Sequence, residues 1–330
     1  MKIIYSILLP LLLHAAVLCS QWQQITTGTS AKINSIYFAD VNNGYFVAET
    51  GPNSGSIYRS TNAGSNWISI YSSAFQMKSV YFVSQQNGFV VGKEHILVTT
   101  DSGNSWSDTY KPDYEIFDIR NVTSNYILGV GFKITPQNTA ILQSYTGGNT
   151  WTSQLVYNSS TSRLHSIRFT NSNTGYTCGE YGTLMRIING GSWNFLVTGT
   201  TNHLYSLSFH NSSTGFAAGA NSTLVKTTNA GTNWSNYNTG FTNIDFRSIE
   251  FLDTSVGFIA GTNGFIARTT NSGVNWIQQT TNVNTNLNSL IYINKDTLFA
   301  AGDNGVVLRT YNGGILGIND PGIGTPNSFY

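Results

Sequence analysis

The sequence carries little charge of either sign. Charged residues make up 9% of the 330 residues and the formal net charge is +1 at pH 7, whereas about 25% charged residues is usual in soluble proteins. This balance excludes a nucleic-acid-binding protein that relies on net positive charge. Hydrophobic residues (40%) and aromatic residues (13%) are plentiful, which argues against disorder along most of the chain. The abundant Gly and Asn are weak helix formers, while Tyr, Phe and Val favour strands, so the composition favours β structure.

Cysteine is scarce as well, and its placement bears on the compartment. Residues 1–20 are typical of a secretory signal, because Lys2 precedes a mostly apolar run and small residues follow near the end of the segment. Removal of this segment would leave Cys178 alone, so no intramolecular disulfide could form. No later stretch is apolar enough to cross a membrane. The sequence therefore predicts a protein that is secreted or held in the cell envelope (periplasm or outer surface) of a bacterium.

A short motif recurs seven times along the chain and usually ends in Trp. Its copies are Ser60–Trp67, Thr99–Trp106, Ser144–Trp151, Ile187–Trp193, Thr227–Trp234, Thr269–Trp276 and Thr310–Gly314. The third residues of successive copies are separated by 39, 45, 43, 40, 42 and 41 residues. A fixed period of this length indicates a repeat architecture.

Each repeat unit contains four runs of β-forming residues separated by Gly and Asn turns, which predicts four antiparallel strands. Seven such units are typical of an all-β, seven-bladed β-propeller. The last unit lacks a fourth strand, whereas Trp22–Thr26 stands alone before the first unit. We therefore expect the N-terminal strand to pair in the last blade and to close the ring. This reading gives one propeller domain over 21–314 and a flexible C-terminal linker over 315–330.

The motif resembles the Asp-box of bacterial neuraminidase (BNR) repeats. The whole unit, with a Gly-flanked apolar strand before an Arg/Lys-Thr-Thr-Asn-x-Gly-x-x-Trp hairpin, resembles the photosystem II stability/assembly factor family of seven-bladed propellers. The resemblance covers Trp22 to Gly314, and residues 315–330 resemble the linker before the sorting domain of some secreted bacterial proteins. It implies that the boxes are structural, since the Asp or Asn bonds the hairpin backbone and the Trp packs between strands. The residues in these roles are Asn62, Trp67, Asp101, Trp106, Trp151, Asn189, Trp193, Asn229, Trp234, Asn271, Trp276 and Asn312.

Variable loops would share one face of the propeller, which we call the variable-loop face. It contains the connections from the second to the third strand and from unit to unit, and such loops on a rigid scaffold are where binding usually occurs. Aromatic residues beside acidic ones there would suit a protein partner or a cell-surface or extracellular glycan. Ordinary loop packing is the alternative reading. The candidate binding residues are Tyr71, Tyr110, Asp113, Tyr114, Tyr157, Tyr237 and Asp245.

The residue three positions before the motif Asn is basic in five units, and we call it the cation position. Its basic members are Arg59, Arg186, Lys226, Arg268 and Arg309. Equivalent positions in a propeller form a ring, so one reading is a positive annulus that binds an acidic partner. The other reading is structural: each cation stacks on the motif Trp seven or eight residues later.

We expect no catalytic residues, no metal and no cofactor. The His residues lack metal-ligand spacing, and the Arg-Ile-Pro stretch of sialidases is absent. Asp113 and Asp245 are candidate carboxylates, but nothing in the sequence brings them to the separation that glycoside hydrolysis needs. The predicted function is that of an exported, monomeric, non-catalytic binding propeller with a protein partner. The alternative is a carbohydrate-active propeller, either a sialidase- or xyloglucanase-like hydrolase or a lectin.

Overall fold

The computed structural model describes residues 22–156 and 162–315. In these ranges the chain forms six antiparallel sheets and three single-turn 3-10 helices, Glu180–Gly182, Thr262–Gly264 and Asp303–Gly305. The predicted signal (1–20), almost all of the predicted linker (315–330) and Tyr157 lie outside the described residues.

Five of the sheets have four strands each. One contains β2 (Lys32–Phe38), β3 (Gly44–Gly51), β4 (Ser54–Ser60) and β5 (Ile68–Ser73), and the next of the five along the chain contains β12 (Leu164–Asn171), β13 (Thr174–Gly179), β14 (Leu184–Ile188) and β15 (Asn194–Phe195). Two more contain β16 (Leu204–Phe209), β17 (Gly215–Gly219), β18 (Leu224–Thr227) and β19 (Ser235–Asn236), and β20 (Phe246–Phe251), β21 (Gly257–Gly261), β22 (Ile266–Thr269) and β23 (Ile277–Gln278). The last of the five contains β24 (Leu287–Tyr292), β25 (Leu298–Gly302), β26 (Val307–Thr310) and the N-terminal strand β1 (Gln23–Ile25). The sixth sheet has six strands: β6 (Met77–Phe82), β7 (Gly88–Thr99), β8 (Ser107–Asn121), β9 (Ile127–Lys133), β10 (Asn138–Ser144) and β11 (Thr152–Val156).

The expectation of seven four-stranded blades is therefore wrong, because the described residues form six sheets. The second and third repeat units share the six-stranded sheet through β8, which pairs with β7 at one end and with β9 at the other. Glu115 of β8 lies opposite both Lys93 and Phe132. The cause is a short connection: Tyr110 pairs within the second unit and Tyr114 already pairs within the third. Elsewhere the connection is longer, as between Asn236 and Phe246.

The six sheets are arranged as a β-propeller around the first strands of the units. Strand β2 contacts both β6 and β24, and β8, β12, β16, β20 and β24 contact one another in that order. Strand β1 pairs antiparallel with β26, with Gln23 opposite Arg309 and Ile25 opposite Val307. In the described residues no backbone ladder joins one sheet to the next. The N-terminal strand thus pairs within the last sheet, but the expectation that this pairing closes the ring is wrong.

Side chains join the sheets instead. In five units a Ser near the start of the first strand accepts a hydrogen bond from a backbone N–H of the following unit, as Ser289 Oγ does from Ile36 at 3.3 Å and Ser248 Oγ from Leu290 at 3.0 Å. Apolar clusters also span neighbouring sheets; in one of them Trp22 and Leu308 pack with Phe258. Because this burial is shared between sheets, each sheet depends on its neighbours for its core.

In the repeated turn motif, the side chain of the third residue accepts hydrogen bonds within the hairpin. Asn62 Oδ1 accepts hydrogen bonds from Ser60 Oγ and from the backbone N–H of Asn66, both at 2.9 Å. The positive φ falls on the next residue, Ala63 (54°), and not on Asn62. Asn is therefore suited to the position by its side-chain acceptor.

Other copies repeat this turn with one exception. The motif residues Asp101, Asn229 and Asn271 accept the corresponding backbone N–H at 2.9 Å. Asn189, in the shortened copy, itself has φ = 53°, so the deletion moves the left-handed residue by one position. The motif Trp side chains Trp67, Trp151, Trp193, Trp234 and Trp276 are buried, and Trp106 is half-buried.

Candidate functional site

Each repeat unit carries one β-bulge near the start of its first strand. In β2 the pairing with β3 passes from Ile33 to Ser35, so Asn34 is the extra residue. In each of the six other units the pairing between the first and second strands skips one residue in the same way. These residues are Lys78, Phe117, His165, Tyr205, Arg247 and Asn288. A bulge bends the strand and redirects the extra side chain, and here the redirected side chains meet at the centre of the ring.

A glycine opposite the bulge makes this geometry possible in six units. A Cβ on Gly302 would lie 1.9 Å from the carbonyl oxygen of Asn286, and one on Gly219 would lie 1.9 Å from that of His203. The backbone of Gly302 is extended, with φ = −161°, so glycine is needed for the close approach and not for a left-handed conformation. In these six units the recurring Gly is thus required by the close approach of the two strands at the bulge.

The seven bulge residues and Lys32 line a cavity of about 300 Å³ at one end of the central channel, which we call the channel mouth. It opens on the variable-loop face, because its side chains contact Glu49 and Asp303, which adjoin connections from second to third strands. Around the ring its lining divides into two arcs. The aromatic arc is Phe117, His165 and Tyr205; the polar arc is Arg247, Asn288, Lys32, Asn34 and Lys78.

The polar arc is held by hydrogen bonds and ion pairs. Lys78 Nζ lies 2.8 Å from Glu49 Oε1 and 3.7 Å from Glu115 Oε1. Hydrogen bonds from Lys78 and Asn34 hold the pKa of Glu49 below its usual range although burial opposes them. Lys78 is therefore largely neutralised by carboxylates of the protein.

Arg247 is differently placed in the polar arc. One of its terminal nitrogens, Nη1, donates to Asn288 Oδ1 at 3.1 Å, and its buried Nε–H has no hydrogen-bond partner among the described residues. Asn288 in turn donates to Asp303 Oδ1 at 2.8 Å. Arg247 thus has a neutral amide as its direct partner and keeps donors for a ligand.

The aromatic arc is a row of rings in edge-to-face contact. His165 lies between Phe117 (ring centroids 5.0 Å apart) and Tyr205 (5.5 Å). Burial lowers the pKa of His165 to about 4, so the imidazole is neutral near pH 7. The row continues outward from Tyr205 to His203 (6.4 Å) and then to Tyr181 (5.2 Å). The channel mouth therefore has one uncharged aromatic side and one side that offers cations and amides.

An ionic layer adjoins this cavity along the first strands. Asp118 occupies the position that is Ser in the other units, and its two oxygens pair with Arg120 at 2.7 Å and Arg168 at 2.8 Å. Arg120 lies 4.6 Å from the ring centroid of Tyr81, and Tyr81 contacts Tyr37 at 5.2 Å. Burial raises the pKa of Tyr37 to about 12.

Three of the predicted loop residues lie in a strand: Tyr110, Asp113 and Tyr114 belong to β8. Tyr110 is 59% exposed, and its ring lies 5.1 Å from His95. Asp113 has φ = 68°. Tyr114 Oη donates to Ser153 Oγ at 2.9 Å.

The other predicted loop residues are dispersed around the ring. Tyr71 lies in β5. Tyr237 Oη donates to the carbonyl of Val274 at 2.8 Å, and Asp245 Oδ1 accepts the backbone N–H of Asn221 at 3.0 Å. None of the described candidates lines the channel mouth, and Asp113 and Asp245 belong to different repeat units.

At the cation position, each side chain lies across from an aromatic residue of the neighbouring strand. The guanidinium or ammonium lies 5.7 Å from the ring centroid of Tyr45 for Arg59, 5.0 Å from Phe216 for Lys226, 5.9 Å from Phe258 for Arg268 and 5.7 Å from Phe299 for Arg309. The partner is thus the cross-strand aromatic residue and not the motif Trp that the sequence suggested. Arg186 lies across from Tyr176 in the same register.

Several of these cations also reach the next repeat unit. Arg186 donates to the carbonyl of Ala230 at 2.8 Å, Lys226 to that of Ser272 at 3.1 Å, and Arg309 to that of Ala63 at 2.9 Å. Each acceptor is the residue that follows the motif Asn. These contacts favour a stabilising role, while an annulus for an acidic partner stays a prediction.

The residues of the channel mouth were missed by reasoning from the sequence. Their signal is an interrupted alternation: a variable residue stands directly before a repeated Ser (or Asp118) in each first strand, as in Arg247-Ser248. Variation at one fixed phase of a repeat could have marked them. Cys178 is buried, and burial raises the pKa of its thiol.

Within the described ranges, three or more His, Cys, Asp or Glu side chains are nowhere grouped so as to hold a metal ion. None of the helices in these ranges has the length and apolarity that crossing a membrane would require.

The solved structures most useful for comparison share the fold at low sequence identity. YCF48 from Cyanidioschyzon merolae has a TM-score of 0.72 at 18% identity, covering 88% of this chain and 98% of that one. A structure of YCF48 bound to D1 peptide has a TM-score of 0.72 at 20% identity, covering 90% and 99%. Virginiamycin B lyase from Staphylococcus aureus has a TM-score of 0.73 at 12% identity, covering 87% and 98%.

The last of these is an enzyme, so the fold alone does not decide the activity. No curated protein matches the chain. The sequence profile described as photosynthesis system II assembly factor YCF48 matches residues 13–111 and 189–281, which is more than half of the chain. The protein therefore belongs to the YCF48 family of photosynthesis system II assembly factors.

Proposed function

We propose that this protein is a non-catalytic propeller that binds a protein partner through its variable-loop face. The observation that carries the proposal is its membership of the YCF48 family, of which one solved member is bound to a D1 peptide. Catalysis would need reactive groups held together, whereas Asp113 and Asp245 belong to different repeat units.

The fold offers such a partner a rigid surface. The channel mouth opens on the variable-loop face, and exposed aromatic residues stand around it, including Tyr110 and Tyr181 (each 59% exposed). Exposed Tyr supplies contact area at low conformational cost and is enriched where proteins bind one another. We further propose that residues 1–20 direct export, and that the protein acts as a monomer, secreted or in the envelope of a bacterium.

The test is capture of a partner by two matched variants. The first, Tyr110→Ser with Tyr181→Asn, alters the variable-loop face; Asn already occupies the position of Tyr181 in later units, at Asn263 and Asn304, with the same positive φ. The second, Tyr145→Thr with Tyr311→Thr, removes two tyrosines of similar exposure (62% and 55%) from the opposite face. Thr is the residue of most other motif copies there.

Each variant and the wild-type protein are immobilised and exposed to the envelope or extracellular fraction of the source cells. We expect the first variant to retain at most about one fifth of the captured partner, since exposed Tyr side chains are frequent hot spots, and the second to match the wild type. Equal capture by both variants would contradict the proposal. Polysaccharide hydrolysis that is lost on changing Asp113 or Asp245 would replace it with a glycoside hydrolase.

A further inference from the structure

The channel mouth has the properties of a recognition site that the family assignment does not describe. Its volume of about 300 Å³ is at the lower end of the range for ligand pockets. The Asp118–Arg120–Arg168 layer adjoins it along the first strands. A bound segment would therefore lie across the opening and send side chains inward, with no more than about two side chains fitting.

The aromatic arc selects one of those side chains. His165, neutral near pH 7, stands between Phe117 and Tyr205 in edge-to-face contacts. Aromatic pairs in this arrangement gain energy beyond the burial of their area. An aromatic side chain from a partner would extend the row without bringing a charge next to the rings.

The polar arc selects the other side chain by its charge. Two of its cations are available: Lys32 is exposed, and Arg247 has only the neutral Asn288 amide as its hydrogen-bond partner. Lys78, in contrast, is already paired with Glu49 and Glu115. An incoming carboxylate would meet Arg247 and Lys32, while the nearby Asp303 accepts hydrogen bonds from the amides of Asn286 and Asn288.

The two arcs face each other across the opening, so the two ligand groups must point to the same side of the bound segment. In an extended segment, residues i and i+2 point to the same side, about 6.5–7 Å apart. Neighbouring residues point to opposite sides and could not both enter. We propose that the channel mouth binds an extended partner segment in which an acidic residue and an aromatic residue are separated by one residue.

This inference rests on the proposed function and adds the chemistry of the partner. The probe is a blocked pentapeptide, N-acetyl-Gly-Glu-Ala-Phe-Gly-amide, whose ends carry no charge. Binding to the full chain is followed by titration calorimetry and by the NMR signal of the His165 imidazole. The comparison peptides replace Glu by Gln, or exchange Ala and Phe so that the acidic and aromatic residues are adjacent.

We expect both comparison peptides to bind at least about tenfold more weakly, since a charged hydrogen bond or an aromatic contact is lost. Arg247→Gln should weaken binding of the Glu-containing peptide to the same extent but leave binding of the Gln-containing peptide unchanged. Lys295→Gln, which removes an 83% exposed cation, should bind like the wild type. Lys32→Gln tests the same arc at an exposed position where folding is not at risk.

Equal affinity for all three peptides, or an unchanged affinity in both Arg247→Gln and Lys32→Gln, would overturn the inference. Phenylacetate binding as tightly as the Glu peptide would overturn it as well, since the site would then serve a free small molecule. These failures differ from failure of the proposed function. A partner captured through Tyr110 and Tyr181 while the peptides do not bind would leave the propeller a binding protein with an empty channel mouth.

Discussion

The guanidinium of Arg309, in the last repeat unit, donates a hydrogen bond of 2.9 Å to the backbone carbonyl of Ala63, in the turn motif of the first. The two residues are 246 positions apart in the chain. Arg309 also lies 5.7 Å from the ring centroid of Phe299 and is buried. One side chain thus connects the sheet that contains both ends of the propeller with the sheet that follows it.

Loss of this contact should destabilise the ring. We predict that Arg309→Gln lowers the free energy of unfolding by about 2 kcal/mol, because a hydrogen bond from a charged donor is lost and the half-buried carbonyl of Ala63 loses its partner. Arg268→Gln is the matched control: Arg268 stacks on Phe258, so the expected loss is about 0.5–1 kcal/mol. Urea unfolding measures both. An equal effect of the two changes would show that the contact with Ala63 contributes nothing.

Asp118 stands where the other units have Ser, and its replacement by Ser should lower the free energy of unfolding. Asp118→Ser would leave Arg120 and Arg168 without their shared carboxylate. Removal of one partner from a buried ion pair costs about 3–5 kcal/mol, so we expect a loss of this order in chemical unfolding. The variant Ser166→Ala, in the next unit, removes a single hydrogen bond to Leu207 and should cost about 1 kcal/mol. If Asp118→Ser also lost only about 1 kcal/mol of unfolding free energy, water would have replaced the carboxylate as the partner of the two guanidinium groups.

The glycines opposite the bulges give a steric prediction. Gly302→Ala would place a Cβ 1.9 Å from the carbonyl oxygen of Asn286, so the bulge at Asn288 must move, and we expect a loss of at least about 2 kcal/mol in unfolding free energy. Gly28→Ala provides the contrast: Gly28 has φ = +75° with nothing within 4 Å of the new Cβ. That change should cost about 1 kcal/mol through backbone strain alone. The reverse order of the two losses would exclude a steric role for Gly302.

The repeat was readable from the sequence because its signals are local. Turn residues such as Asn62 and Asn229 recur with a Trp at a fixed distance, and Gly-flanked apolar runs mark the second strands. These features are imposed within a single unit by hydrogen bonds between neighbouring residues. They predict the strands and the turns, and the structure has both.

The number of sheets was not readable because it depends on pairing between units. The short connection between Tyr110 and Tyr114 brings Lys93 opposite Glu115 and fuses two units into one sheet. A motif count is unaffected by such a fusion. The pairing register of strands is a property of the assembled ring.

The channel mouth was hidden for a similar reason. A bulge changes the side to which one residue points, so Arg247 and Phe117, which simple alternation places elsewhere, meet in the same cavity. The predicted candidates Tyr71 and Tyr237 were chosen from loop length and aromatic character. Neither criterion detects a site made by equivalent positions on seven first strands.

The buried imidazole of His165 should make the stability of the protein depend on pH. Its pKa is about 4 in the folded protein because of burial, against an ordinary value of 6.5. Between these values the unfolded chain binds a proton that the folded protein does not, so the stability from this side chain is complete above pH 6.5 and is lost as the pH falls towards 4. The full difference is worth about 3 kcal/mol, and because the ring borders an open cavity we expect about 2 kcal/mol.

Urea unfolding of the wild type and of His165→Gln at pH 7 and pH 4 should show the wild type losing that much more than the variant. His203→Gln, from the same row of rings, should follow the wild type. If His165→Gln and the wild type lose stability in parallel, the imidazole is protonated in the folded protein and the aromatic arc is charged in acid.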